Sequence, residues 1–212
     1  MSRRAPSARL FIAVDPPKQV AVQLTAWTRS TARDMRSHAR GSQHALRVLD
    51  PELLHVTLCF LGNRPVEEIP ALTDRLAECE RPPVQLSVGA PLWLPPRRPR
   101  ALAVELYDEG NALARIQAQA TAMLEPADGE TPERPRAGAS AKPRRFRPHI
   151  TVARMRSGVG SRRSRGPSGE RGEPALPPTP ALSFAPAELV LYRSWLSPEG
   201  ASYEPLSAFP LR

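Results

Sequence analysis

Apolar residues recur along this chain at two spacings, and the alternation between them sets out the elements. Residues 9–14 form a short apolar run with Ile12 and Val14, stopped by Asp15-Pro16-Pro17. The run reads as a strand and the prolines as the opening of a helix, since proline suits a first helical turn. Val20, Leu24 and Trp27 then fall at i, i+4 and i+7, which predicts an amphipathic helix. From residue 33 to 42 the pattern fades into a basic connector. Residues 46–49 read as a short strand, and Asp50-Pro51 turns the chain into a longer one over 53–61. Val66, Ile69, Leu72, Leu76 and Cys79 share one face of a second helix, stopped by Pro82-Pro83. Residues 84–88 and 92–94 alternate weakly and predict two strands, followed by a rigid basic loop (95–100) and a strand over 101–106. A third helix spans 111–124, with Leu113, Ile116, Ala120 and Met123 on its buried side. Strands over 150–153, 189–195 and 203–209 complete the set, with Ser197-Pro198-Glu199-Gly200 as the hairpin turn between the last two.

This order is that of an α+β protein with two partly similar halves. Two stretches break it. Residues 125–145 and 156–180 collapse into Pro, Gly, Ala, Ser, Arg and Glu without apolar periodicity, and read as flexible insertions within one domain spanning 1–212.

Composition narrows the picture little. The 26 prolines among 212 residues fit globular segments interrupted by loose ones. A net charge of +9 favours polyanionic partners. Cys59 and Cys79 have no metal-ligand spacing and read as free thiols in a reducing compartment. The basic N-terminus is followed by too short an apolar run for a signal peptide, and no stretch approaches the roughly 18 apolar residues of a membrane helix. A cytoplasmic protein with no membrane partner is expected.

The chemistry lies in a phrase that occurs twice: His55-Val56-Thr57-Leu58 and His149-Ile150-Thr151-Val152. In a strand, side chains at i and i+2 share a face. His55 therefore projects with Thr57, and His149 with Thr151. A lone His in a strand is usually structural, and Thr is simply a good strand former. Yet only four histidines exist, and a given one would carry this continuation with a frequency on the order of one in several hundred. His38 and His44, in the basic connector, read as solvated surface residues. If each half forms a small sheet around its own His-Thr strand, a pseudo-twofold arrangement puts both motifs in one cleft.

Two His ligands would need a third donor for a metal site, and no Asp or Glu flanks either motif on the same strand face. A serine triad lacks its Gly-x-Ser-x-Gly elbow. Acid–base chemistry on a phosphate fits better. One neutral and one protonated imidazole can remove and donate protons, while two Thr hydroxyls hold the non-bridging oxygens. A strained cyclic phosphodiester suits such a site, with no metal and no cofactor.

The paired H-x-T-x phrases resemble the signature of the two-histidine (2H) phosphoesterases. The likeness extends through RLFIAVDPP, LLHVTLCFLG, RRPRALAVEL, FRPHITVAR and ELVLYRSWLSPEGASYEPL, which together look like the RNA 2′,3′-cyclic phosphodiesterase branch, also described as 2′-5′ RNA ligases. The resemblance implies a bilobal α+β fold with two antiparallel sheets flanking a central cleft and helices outside. It implies hydrolysis of RNA 2′,3′-cyclic phosphate ends to 2′-phosphate ends, and the expected partner is RNA bearing such ends, acted on by a monomer. His55 would be the proton donor and His149 the proton acceptor, with Thr57 and Thr151 on the phosphate. Many relatives carry a basic residue where Cys59 stands, so a contact from there is absent. Arg154 matches the basic residue closing the second block, but strict alternation turns it away from His149 unless the strand bends. Phe60, Phe146 and Trp195 could stack on a base, although core packing is the expected role. Ligation of tRNA halves through a 2′-5′ bond and non-catalytic RNA binding are the competing readings.

Overall fold

The computed structural model describes residues 6–38, 46–96, 99–124, 146–155, 176–197 and 200–212. The two expected insertions lie outside them, apart from residues 176–180, as do His44 and the side chain of His38.

Among the described residues nine strands and three α-helices follow in the order β1 (Ser7–Val14), α1 (Lys18–His38), β2 (Leu46–Val48), β3 (Val56–Pro65), α2 (Ile69–Ala77), β4 (Gln85–Leu94), β5 (Ala101–Glu109), α3 (Ala112–Leu124), β6 (His149–Met155), β7 (Ser183–Phe184), β8 (Glu188–Ser197) and β9 (Gly200–Pro210). All pairings are antiparallel, in the spatial order β7-β4-β5-β6-β3-β1-β8-β9, with β2 on β6. The two expected sheets are therefore two leaves of one sheet, joined where β3 meets β6 at the single pair Val56 and Ile150. Both residues are fully buried.

The pseudo-twofold relation is explicit in the connections. β1–α1–β3 matches β5–α3–β6, each ending in a His-Thr motif. The chain then changes leaf both times: β4 follows β3 but pairs with β5, while β8, which follows β6 and the short β7, pairs with β1. Each leaf thus contains strands from both halves, which holds the lobes together without a linker.

One face of the sheet is apolar. Leu10, Ile12, Leu102, Val152, Leu189 and Leu191 are buried there with Leu24, Leu113 and Ile116 of the helices. Each such side chain contributes roughly 1.5–3 kcal/mol on leaving water.

Two local readings need correction, and one strand has no sequence counterpart. Helix α1 does not end near residue 33 but runs to His38, because Thr28, Thr31 and Ala32 continue its buried stripe. The threonines satisfy their hydroxyls on the carbonyls of Leu24 and Trp27, one turn back, so polar residues stand where an apolar period was sought. Strands 84–88 and 92–94 are one strand, β4, irregular between Val88 and Pro91. Gly89 interrupts its pattern because a Cβ there would meet the Tyr107 ring at 2.9 Å. The two-residue strand β7 had no legible signal.

Candidate active site

The face opposite the core lines an open cleft of about 1400 Å³ where the leaves meet. His55, Thr57, His149 and Thr151 all line it. The period-2 alternation thus holds on both strands, although His55 stands one residue ahead of β3, after a 3-10 turn at Pro51–Leu53.

The two imidazoles are held alike. His55 Nδ1 is 2.9 Å from the carbonyl oxygen of Leu53, and His149 Nδ1 is 2.9 Å from that of Arg147. A carbonyl only accepts, so Nδ1 carries a hydrogen in each ring, and in a neutral ring Nε2 is the basic nitrogen. In both cases the clamp is the residue two positions earlier. A repeated sequence phrase has become a repeated hydrogen-bond geometry.

The surroundings differ. Phe11 lies 5.0 Å from the His55 ring and Tyr203 meets it edge-on at 4.9 Å. Burial lowers the pKa of His55 to about 4, the hydrogen bond to Leu53 opposes that shift, and the charges of Arg154 and His149 add to it. His149 instead borders charged groups: Glu105, opposite it in the β5–β6 ladder, accepts a 2.7 Å hydrogen bond from Arg147.

Strict alternation fails after Thr151. Ala103 pairs with Thr151 while its neighbour Leu102 pairs with Ala153, so Val152 is an extra residue in β6. A bulge of this kind reverses the facing of the residues beyond it. Arg154 therefore turns into the cleft, where it lines the wall and acts electrostatically on His55. β3 repeats the device at the matching place, since Ala13 pairs with Thr57 and Ile12 with Cys59, leaving Leu58 extra. Cys59 goes to the core side, and Phe60, the counterpart of Arg154, faces the cleft with 68 % of its surface exposed.

Residues 14–102 match the family model described as LigT like Phosphoesterase. The RNA 2′,3′-cyclic phosphodiesterase of Thermus thermophilus is 32% identical over 208 residues, 96% of this chain and 90% of that protein. The chain belongs to the LigT-like phosphoesterase family. A crystal structure of a Thermus thermophilus protein superposes with a TM-score of 0.68 at 31% identity, covering 96% of this chain and 98% of the other. Escherichia coli LigT, crystallised with phosphate, shares the fold with a TM-score of 0.68 at 22% identity, over 98% and 99%.

In this LigT-like phosphoesterase the cleft gathers all five residues singled out from the sequence. Arg9, Phe11, Arg47 and Tyr203 line it as well, without a signal in the sequence that marks them as site residues. Phe11 and Tyr203 looked like ordinary strand residues, although counting by two from Phe11 reaches Arg9, a charge on the same face. Core packing is the wrong role for Phe60. It is also wrong for Trp195, which is 48 % exposed with the Arg193 guanidinium 3.8 Å over its ring. Phe146 is half-buried, packs on the core and borders the cleft. Among the described residues no three His, Cys, Asp or Glu side chains cluster as metal ligands, and no helix is long and apolar enough to cross a membrane.

Proposed function

We propose that this protein hydrolyses 2′,3′-cyclic phosphate ends of RNA to 2′-phosphate ends, without a metal, through His55 and His149. The observation that carries the reading is the matched pair of Nδ1-clamped imidazoles, each with its threonine, in one cleft. The named activity of the Thermus relative supplies the substrate class.

Thr57, Thr151 and Arg154 hold the non-bridging phosphoryl oxygens, whose charge must be stabilised as the phosphorus is attacked. His149 Nε2 takes a proton from water as its oxygen bonds to phosphorus. The bond to the ribose 3′-oxygen breaks, and that oxygen takes a proton from His55. Exchange with solvent then resets both rings.

The burial of His55 bears on this assignment. In the empty cleft the ring is neutral at neutral pH. A donor role requires the phosphodiester anion, seated between the threonines, to draw a proton onto His55 as it binds. The depressed pKa favours a second reading in which His55 is the base and His149 the acid.

The cyclic phosphate of catechol separates the two, because a phenoxide departs with less need of a proton than a ribose oxygen. Relative to wild type, His55→Ala is expected to recover at least tenfold on this substrate compared with an RNA 2′,3′-cyclic end, and His149→Ala to recover nothing. The opposite pattern exchanges the roles. Incubation of a 2′,3′-cyclic oligonucleotide with chelator present tests the activity itself: a 2′-phosphate product is expected, and a 3′-phosphate, ligated RNA or metal-dependent turnover overturns the reading.

A further inference from the structure

Beyond the motifs, the cleft carries a second concentration of positive charge. Strand β2 is only three residues long, and its central residue, Arg47, pairs with Arg154 across the β2–β6 ladder. Residues directly opposite in such a ladder have Cβ atoms about 5 Å apart, which sets the two guanidinium groups side by side. Both arginines line the same cleft. The Arg47 guanidinium reaches toward the other leaf, lying so close to Gly200 at the start of β9 that a side chain there would collide with it. Gly200 has φ of 145°, a backbone that side chains rarely adopt.

The spacing fits a polymer. Because one residue is bulged, Thr151 and Arg154 are only two ladder steps apart, or about 7 Å at the usual strand rise. One nucleotide of an extended strand covers that span. Guanidinium groups are suited to phosphate, which they bind through paired, charge-assisted hydrogen bonds.

We propose that Arg47, together with Arg154, forms a subsite for the phosphate on the 5′ side of the terminal nucleotide, so that the cleft selects RNA chain ends over lone nucleosides. This rests on the hydrolase reading above. Arg154 reaches both phosphates, and Arg47 serves the upstream one. The subsite sits at the cleft edge where β2 and the β8–β9 hairpin approach each other, which sets the direction in which the strand leaves.

Two substrates that differ in a single group test it: adenosine 2′,3′-cyclic phosphate with and without a 5′-phosphate. Wild type is expected to favour the 5′-phosphorylated compound at least tenfold in kcat/KM, chiefly through KM. Arg47→Gln is expected to shrink that ratio about tenfold and Arg47→Lys to keep part of it. Raising salt should erode the wild-type preference, as phosphate contacts do. An unchanged circular dichroism spectrum of Arg47→Gln is the control for folding. Turnover of both compounds by wild type with no preference, or an equal preference in Arg47→Gln, overturns the subsite alone. Failure to turn over either compound overturns the hydrolase reading as well.

Discussion

The two halves of the cleft share a backbone and differ in what surrounds it. Each presents a histidine clamped to the carbonyl two residues back, a threonine two residues on, and a bulge three residues on. Around His55 the side chains are aromatic: Phe11, Tyr203 and, beyond the bulge, Phe60. Around His149 they are charged, with Glu105 and Arg147 beside it and Arg154 in the place of Phe60. Duplicated geometry supplies two equivalent proton-handling units. Unequal packing then places His55 in a dry, aromatic half, where burial holds its pKa below the ordinary imidazole value.

If both units belong to one reaction, removing either should cost about the same large factor. His55→Ala and His149→Ala are each expected to lower turnover of an RNA 2′,3′-cyclic end at least a hundredfold, with circular dichroism unchanged. Near wild-type rates in both variants would sink the paired mechanism. A loss confined to one would leave a single catalytic histidine and make the symmetry an inheritance without a use.

The bulge positions offer a sharper contrast, with effects near tenfold. Phe60 is a flat exposed ring in the cleft wall, and stacking of a base on such a ring is worth roughly 1–3 kcal/mol. Phe60→Ala should raise KM about tenfold for purine nucleotides and leave the cyclic phosphate of catechol, which has no base, little affected. Arg154→Gln should weaken adenosine 2′,3′-cyclic phosphate and the catechol compound alike, since the cyclic phosphate is the one phosphate that each offers it. Equal responses of the two variants across the two substrates would show that the halves are not divided between base and phosphate.

The same bulges mark where the sequence stopped being legible. The strands, the helices and the His-Thr pairs follow from spacing, because periods of 2 and 3.6 translate directly into faces. The bulges do not. An extra residue in one strand is defined by its partner's register, and nothing in TVAR or TLCF announces it. Alternation alone accordingly sends Arg154 to the wrong face and gives Phe60 no reason to leave the core. The far end of α1 was hidden for a different reason, since Thr28 and Thr31 are buried by bonding back along their own helix. Arg47 escaped because a three-residue strand has too few positions to show a period. The features read correctly are local. The facing of Arg154 and Phe60, by contrast, depends on which strand lies alongside.

The smallest effect is on stability, and it isolates the dry half. In the folded protein His55 has a pKa of about 4, against the ordinary 6.5 it recovers on unfolding. Between those values the unfolded chain binds more protons than the folded one, so this residue's contribution to stability is intact above about pH 6.5 and is lost as pH falls toward about 4. At pH 5.5 the loss amounts to about 1 kcal/mol relative to pH 8. Asp15, whose carboxyl pKa burial raises, works in the opposite sense, taking up its proton more readily when folded. It is common to wild type and a His55→Gln variant, so the difference between their denaturant midpoints removes it. Moving from pH 8 to pH 5.5, wild type should lose about 1 kcal/mol more than His55→Gln. Parallel pH curves for wild type and His55→Gln would mean that water reaches His55 freely, and with that the aromatic wall would lose its role in setting the two histidines apart.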